Sequence, residues 1–271
     1  MLGGVNHGMD PSLSTPPTSP VTPAPTATLV FLPGLANDGE VWADVRAALR
    51  ERAATPALHT LLDAARVADV HTRQASLPAM ARALLDEIGG PLLLVGHSMG
   101  GMVAQHVVRQ APERVAAMAL LGTTARPDTP ELIRLRTEAC EHFAAGRTDE
   151  VLRANVPFAF HPDRSTERAL VARYFAIVQR AGAAQLIAQN RAVMARDDGR
   201  PHLGAIRCPV LVLCGEADAL TPPEVSREIA AAVPGARLAV LPRCGHMLTL
   251  EEPQRVADAL GAWLEELLGR T

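Results

Sequence analysis

A serine stands between glycines in the stretch Pro91–Val103, which reads PLLLVGHSMGGMV. Ser98 is preceded by Gly96 and followed by Gly100, so the local pattern is G-x-S-x-G. A serine hydroxyl becomes a nucleophile when a neighbouring base takes its proton, and it needs free space in front of it. The pattern therefore predicts a nucleophilic serine on a sharp turn; a plain turn between a strand and a helix is the alternative.

The segments on either side of Ser98 fit a nucleophile on a turn. Leu92–Val95 has the composition of a strand buried on both faces, and Met99–Gln110 has the apolar spacing of a helix. This order of strand, turn and helix would place Ser98 at the carboxyl end of a sheet, above a helix N-terminus. Side chains in place of the flanking glycines would collide across so tight a turn.

A base and an acid for this serine are expected just beyond later strands, in the chain order serine, acid, histidine. The predicted strand Pro209–Cys214 runs into GEAD, where Asp218 is the expected acid. Glu216 is the second choice, and a turn or capping role is the alternative for Asp218. The predicted strand Arg237–Leu241 runs into PRCGH, where His246 is the expected base; a histidine that bonds only to backbone is the alternative.

A tetrahedral intermediate also needs hydrogen-bond donors for its oxyanion. The backbone N–H of Met99 is one expected donor, because it lies at the start of the helix after the serine. The loop LPGLAND, after the first strand, is the expected source of a second donor, the N–H of Leu35, and Gly34 would allow close approach there. Asn37 or Asp38 could instead cap the next helix, and both roles are compatible.

The elements that must position these residues alternate between strand and helix. Near-continuous apolar strands separated by helices predict an α/β fold with a mostly parallel, doubly wound sheet of about six strands. The strand at Ala57–Leu62 is the weakest of the six candidates. The candidates are Thr28–Leu32, Ala57–Leu62, Leu92–Val95, Val115–Leu121, Pro209–Cys214 and Arg237–Leu241.

The alternation stops between residues 126 and 200, where every segment has helical spacing, with helices predicted at 130–145, 148–155, 165–181 and 183–196. This stretch is predicted to be a helical cap inserted into a core formed by residues 28–125 and 201–271. Residues 1–27 are rich in Pro, Ser and Thr and are expected to form a flexible tail.

The predicted cap and the turns below it offer side chains for a substrate pocket. Packing between helices is the alternative for the cap residues, and His97 is expected to pack beside the site, because neighbours on a tight turn point apart. A pocket lined in this way would accept an apolar group of modest size. The candidates are Gly34, His97, Phe158, Phe160, Tyr174 and Met194.

Composition excludes several classes of function. The net charge of −3 offers no basic surface for nucleic acid. All 26 basic residues are arginine, which rules out a lysine Schiff base or a P-loop lysine. The four cysteines have neither CxxC nor zinc-type spacing, so we expect reduced, mostly buried thiols and no metal or other cofactor.

The sequence contains no apolar run long enough to span a bilayer and no secretory-type N-terminus, so a cytoplasmic protein without a membrane partner is expected. Its expected partner is a small-molecule substrate. The oligomeric state stays open.

The motifs LPGL, GHSMGG, CGEADALTPP and CGHMLTLEEP, in this order, resemble those of the α/β-hydrolase superfamily over residues 28–268. They are most similar to those of small carboxylesterases, enol-lactone hydrolases and non-metal haloperoxidases. The resemblance implies a triad of Ser98, His246 and Asp218, an oxyanion hole formed by Leu35 and Met99, and a helical cap. The sequence departs from the common pattern of the superfamily at two places. It has Pro33-Gly34 where many relatives have His-Gly, and Asp63–Arg66 where they often have a glycine-rich loop after the second strand.

The resemblance implies hydrolysis of a carboxylic ester or lactone through an acyl-enzyme on Ser98, without a metal or other cofactor. A serine nucleophile argues against haloalkane dehalogenases and epoxide hydrolases, which use aspartate. The lack of lysine argues against hydroxynitrile lyases. Acyl transfer or C–C bond cleavage by the same triad remains the main alternative, and a binding protein without catalysis is the other.

Overall fold

A computed structural model describes residues 27–269 of the 271-residue chain. Apart from Ala27, the tail predicted at residues 1–27 lies outside the described residues. Six strands form one sheet in the order β2-β1-β3-β4-β5-β6, and every neighbouring pair is parallel. The predicted parallel α/β sheet of about six strands is thus confirmed. The strands are β1 (Thr28–Leu32), β2 (Arg66–Val67), β3 (Leu92–His97), β4 (Val115–Leu121), β5 (Val210–Gly215) and β6 (Arg237–Leu241).

Helices connect the strands and cover both faces of the sheet. No helix within residues 27–269 is long and apolar enough to cross a bilayer. The helices before β4 are α1 (Ala43–Arg52), α2 (Pro56–Asp63), α3 (Val70–Arg73), α4 (Leu77–Glu87) and α5 (Met99–Gln110). Those after β4 are α6 (Pro130–Ala144), α7 (Thr148–Ala159), α8 (Arg168–Met194), α9 (Arg200–Leu203), α10 (Pro223–Ala232), α11 (Leu248–Glu251) and α12 (Pro253–Leu268).

The strands are apolar along their whole length because each face of the sheet has its own core. In β1, Leu29 and Phe31 contribute to one core and Val30 and Leu32 to the other, as the alternation of side chains along a strand requires. Helices α1 and α12 pack on the first face, and α4 and α5 on the second. With both faces covered, the carboxyl ends of the strands are the edge where polar side chains can meet.

The strand predicted at Ala57–Leu62 is wrong, because this segment is helix α2. Thr55 caps the helix, with its Oγ1 accepting from the N–H of Leu58 at 3.2 Å, and a proline follows at the first helical position. The buried leucines of α2 recur three and four residues apart, which is the spacing of one helix face. The second strand is β2, so the stretch Asp63–Arg66 leads into that strand rather than following it.

The chain between β4 and β5 forms helices α6 to α9, as the sequence predicts for this stretch. Helix α8 is interrupted at Gly182, whose φ of 73° is not helical, at the point where the predicted helices separate. The two ends of this helical segment are joined by buried charges: the guanidinium of Arg196 lies 2.7 Å from the carboxylate of Asp128, which also binds Arg136 at 2.8 Å. The division of the chain into core and cap stays a prediction.

Replacement of Gly100 by alanine is expected to destabilise the fold. A Cβ at this position would lie 2.1 Å from the carbonyl oxygen of Leu32 in β1, a backbone atom that cannot rotate away. We expect Gly100→Ala to lower the free energy of unfolding by about 3 kcal/mol or more, measured by urea denaturation. Gly89→Ala is the matched control, since no atom lies within 4 Å of its added Cβ. Equal stability of the two variants would contradict this reading.

The four cysteines are unpaired, and three of them are buried. Burial raises the pKa of the Cys208 thiol to about 11 and raises the pKa of Cys244 further still. Because the thiolate is the reactive form, we expect a chromogenic disulfide reagent at about pH 8 to modify the native protein far more slowly than the denatured chain. Rapid modification of one equivalent without loss of structure would show that one of these thiols is activated.

Candidate active site

Ser98 occupies a strained turn between β3 and α5. Its φ of 53° and ψ of −118° are rare for a residue with a β-carbon. The turn is held by its backbone: the N–H of Ser98 donates to the carbonyl of Leu121 at 2.8 Å, and Thr123 Oγ1 donates to the carbonyl of Ser98 at 2.7 Å. A Cβ at Gly96 would lie 2.5 Å from the carbonyl oxygen of Gly100, so the expected collision across the turn is present.

Gly100 is required for a different reason from the expected collision across the turn. Its Cβ would meet the backbone of β1 rather than the far side of the turn. Gly101 faces Thr123, whose side chain would lie 2.8 Å from an added Cβ. The glycines after Ser98 therefore let α5 begin directly against the neighbouring strands, and this fixes where the serine hydroxyl lies.

Ser98, His246 and Asp218 form a continuous hydrogen-bonded chain. Ser98 Oγ lies 3.1 Å from His246 Nε2, and His246 Nδ1 lies 2.9 Å from Asp218 Oδ2 and 3.1 Å from Oδ1. With Asp218 ionised, Nδ1–H donates to the carboxylate and Nε2 is left to accept the proton of the serine hydroxyl. Each residue follows the end of a strand, as the sequence predicts: β3 for the serine, β5 for the acid and β6 for the histidine.

Asp218 is buried yet well provided with donors. Its Oδ1 accepts from the N–H groups of Leu220 at 3.0 Å and Thr221 at 2.8 Å, and its Oδ2 accepts from Thr221 Oγ1 at 2.8 Å. Burial opposes ionisation, but the His246 imidazole and the donors from Thr221 outweigh it and hold the pKa of Asp218 below its usual value. The turn role considered as an alternative therefore coexists with the contact to His246.

Glu216, the second choice for the acid, lies elsewhere. Its side chain is exposed and its Oε2 accepts from the backbone N–H of Arg243 at 3.2 Å. The geometry favours Asp218 as the partner of His246.

His97 does not border a pocket, because none of its surface is exposed. Its Nε2–H donates to the backbone carbonyl of His246 at 2.9 Å, and the two rings lie 5.1 Å apart. Burial lowers the pKa of His97 to about 3, so the ring is neutral. His97 therefore packs beside the site, which is one of its two expected roles, and the expectation that it lines the pocket is corrected.

The two N–H groups expected to bind the oxyanion take no part in the backbone hydrogen bonds of residues 27–269. Within residues 27–269, no protein acceptor is bonded to the backbone N–H of Leu35 or of Met99, the first residue of α5. Gly34 adjoins the serine, since a Cβ there would lie 3.1 Å from Ser98 Cβ. Asp38 Oδ1 accepts from the N–H of Glu40 at 2.9 Å, so the capping role is also present in this loop.

The four candidate pocket residues from the helical segment differ in their surroundings. Phe160 and Tyr174 are buried and pack edge to face, with ring centres 5.4 Å apart, and the hydroxyl of Tyr174 accepts from Asn155 at 2.9 Å. Phe158 is 53% exposed, and Met194 Sδ lies 3.8 Å from Thr137 Oγ1. Their membership of a pocket wall stays a prediction.

Glu251 is a buried residue near the site that sequence reasoning missed. Its Oε1 accepts from the N–H of Gly245 at 2.9 Å and its Oε2 from the N–H of His161 at 2.8 Å, so it joins the loop of His246 to the end of α7. Burial raises the pKa of Glu251 to about 7. Its place in a leucine-rich stretch five residues after His246 was a signal that could have found it.

Gln189 of helix α8 is the second missed residue. It is 1% exposed, and its Oε1 accepts from the N–H of Ala36 at 2.7 Å, next to the expected donor Leu35. No sequence pattern marks a glutamine within a helix as the partner of a loop 153 residues away.

Comparisons with known proteins bear on what this geometry does. A family model described as "Alpha/beta hydrolase family" matches residues 29–259. The chain is 28% identical over 241 residues to a pimeloyl-[acyl-carrier protein] methyl ester esterase of Nitrosomonas europaea, covering 86% of this chain and 94% of that protein. It is 28% identical over 202 residues to the protein of the same name from Chromobacterium violaceum, covering 69% of this chain and 75% of the other.

Solved structures of known proteins also align with most of this chain. A thermophilic esterase from Thermogutta terrifontis aligns with a TM-score of 0.75 and 26% identity, over 89% of this chain and 90% of that one. The enol-lactonase from Burkholderia xenovorans LB400 aligns with a TM-score of 0.71 over 90% of this chain and 92% of that one. At 22% identity, the second likeness shows a shared fold alone.

Proposed function

The chain belongs to the alpha/beta hydrolase family and is a carboxylic ester hydrolase, and we propose that it cleaves its substrate through an acyl-enzyme on Ser98. The observation that carries the proposal is the chain of contacts from Ser98 Oγ to His246 Nε2 at 3.1 Å and from His246 Nδ1 to Asp218 at 2.9 Å. A nucleophile, a base and an orienting acid in contact form the arrangement that acyl transfer through serine requires.

In the first half-reaction, Ser98 Oγ attacks the ester carbonyl carbon while His246 Nε2 takes its proton. The carbonyl electron pair moves onto oxygen, and the resulting oxyanion accepts from the N–H groups of Leu35 and Met99. When the tetrahedral intermediate collapses, the C–O bond to the alcohol breaks and His246 returns the proton to the leaving alkoxide. Asp218 keeps the imidazole in the required tautomer and stabilises its charged form.

In the second half-reaction, a water molecule replaces the alcohol. His246 takes a proton from the water as its oxygen attacks the acyl carbon, and the same two N–H groups receive the oxyanion. Collapse releases the carboxylic acid, and the proton on His246 returns to Ser98 Oγ. The same residues thus serve both half-reactions, and the proposal requires no group beyond the chain and water.

The proposed substrate is a small-molecule carboxylic ester, with a lactone as the cyclic form of the same bond. The named relatives are methyl ester esterases, which supports an ester with a small alcohol part. We further propose that α6 to α8 cap the site, with Phe158, Phe160, Tyr174 and Met194 as candidates for the wall that contacts the acyl part. This would favour apolar acyl groups.

A series of p-nitrophenyl esters, from acetate to laurate, tests the proposed function. Turnover that is lost after stoichiometric labelling of Ser98 by a fluorophosphonate, located by peptide mass spectrometry, would support it, and the best chain length would size the acyl site. Labelling of Ser98 without turnover of any ester or lactone would point to acyl transfer or C–C cleavage by the same triad. Failure of both turnover and labelling would contradict the proposed mechanism.

A further inference from the structure

The hydrogen bonds within the loop that carries the Leu35 N–H are not sufficient to hold its conformation. Ala36, the next residue, has a φ of 65°, in the left-handed region that residues with a β-carbon avoid. Within the loop, the N–H of Asn37 donates to the carbonyl of Gly34 at 3.2 Å. One weak local bond across a left-handed alanine leaves the loop dependent on contacts from elsewhere in the chain.

Those contacts form a closed buried circuit centred on Gln189. Its Oε1 accepts from the N–H of Ala36 at 2.7 Å, and its Nε2 donates to the carbonyl of His71 at 2.9 Å. The ring of His71 in turn donates from Nε2 to the carbonyl of Asn37 at 2.8 Å. Gln189, His71 and Asn37 are each less than 5% exposed, so water does not compete for these bonds.

We propose that Gln189 is a positioning residue that holds Ala36 in its left-handed conformation and thereby aims the Leu35 N–H at the oxyanion. This inference rests on the proposed function, because it assigns a role within that mechanism. Gln189 belongs to α8, between β4 and β5, whereas Leu35 belongs to the loop after β1. In this proposal the helical segment between β4 and β5 therefore supplies a residue that holds one of the oxyanion donors in place.

The kinetic consequence follows from when the oxyanion exists. A donor aimed at the oxyanion contributes more to the transition state than to the bound ester, so its misplacement lowers kcat and leaves KM nearly unchanged. Without Gln189 the N–H of Ala36 is buried with no acceptor, and the loop can relax toward a right-handed conformation. A displacement of about 1 Å in a catalytic group costs up to about 100-fold in rate.

Gln189→Met tests the assignment, because methionine has a similar shape and lacks both polar groups. Gln179→Met is the matched control: Gln179 also belongs to α8, and its exposed side chain bonds only to Asp149 among the described residues. We expect kcat for a p-nitrophenyl ester to fall by about 10- to 100-fold in Gln189→Met, with KM changed by less than about threefold. The control should match the wild type in both constants.

A second readout separates a loss of alignment from a general loss of structure. A trifluoromethyl ketone adds Ser98 reversibly and forms an oxyanion in the same place as the ester does, so its inhibition constant should rise by the same factor as kcat/KM falls. All rates are compared well below the melting temperature of each variant. An unchanged kcat in folded Gln189→Met, or a fall in kcat without weaker ketone binding, would overturn the proposal.

Gln189→Glu provides a second test of the assignment if Gln189→Met does not fold. Burial favours the protonated carboxyl, in which one oxygen accepts from Ala36 and the O–H donates to the carbonyl of His71. This variant should therefore retain more than about a tenth of the wild-type kcat, and a larger loss would contradict the assignment. These outcomes differ from failure of the proposed function. In that case the wild type itself would neither turn over esters nor be labelled at Ser98.

Discussion

Ser98→Ala is expected to lower kcat for ester hydrolysis by a factor on the order of 10⁴–10⁶. In the proposed mechanism the hydroxyl supplies the atom that bonds to the acyl carbon, and no other side-chain hydroxyl or thiol is bonded to His246 Nε2 among the described residues. The remaining rate would come from water activated by His246 and from the oxyanion donors. Steady-state kinetics on the best p-nitrophenyl ester, with active-site titration of the wild type, measure the effect.

Ser76→Ala is the matched control for this substitution. Ser76 caps helix α4, with its Oγ accepting from the N–H of Ala79 at 3.3 Å, and it takes no part in the contacts of the triad. Its loss should cost about 1 kcal/mol of stability and leave kcat unchanged. A Ser98→Ala protein with more than about a hundredth of the wild-type kcat would rule out the acyl-enzyme on this residue.

Asp218→Asn is expected to lower kcat by about 10⁴ without preventing folding. Two backbone N–H groups, from Leu220 and Thr221, donate to Oδ1 and would hold the amide oxygen of asparagine in that place. The amide nitrogen would then replace Oδ2, which lies 2.9 Å from His246 Nδ1. Because this nitrogen donates, His246 would carry its proton on Nε2 and could no longer accept from Ser98.

Glu216→Gln distinguishes the two candidate acids at the end of β5. Its carboxylate is exposed and bonds to the backbone of Arg243, so its neutralisation should leave kcat within about twofold of the wild type. The comparison needs kinetics on both variants together with their melting curves. A large loss in Glu216→Gln and a small one in Asp218→Asn would reverse the assignment of the acid.

The sheet and the triad contacts could be predicted from sequence because each depends on local pattern plus one geometric rule. Apolar runs locate the strands, and parallel strands bring their carboxyl ends to one edge. Ser98, Asp218 and His246 each come within five residues of the end of a strand, so the rule brings them together without knowledge of any side-chain contact. This rule does not distinguish Asp218 from Glu216, because both follow β5. The structure distinguishes them, since the side chain of Asp218 is buried and that of Glu216 is exposed.

The failures occur where local pattern carried little information. Helix α2 has an apolar content that suits a short strand equally well, and the cap at Thr55 with its following proline was the deciding signal. For His97 the sequence left open whether the ring packs beside the site or lines the pocket, because its burial depends on tertiary packing around the end of β3. Gln189 reaches the loop at Ala36 only through tertiary packing, which no periodicity reports.

The strained backbone of Ser98 has a consequence for laboratory evolution. Its φ of 53° costs folding free energy on the order of 1 kcal/mol, which a glycine at the same position would not incur. Selection of a mutant library for heat resistance or yield alone would therefore reward loss of this side chain. The most stable descendants would be inert copies of the fold, so any screen on this scaffold has to score turnover alongside survival.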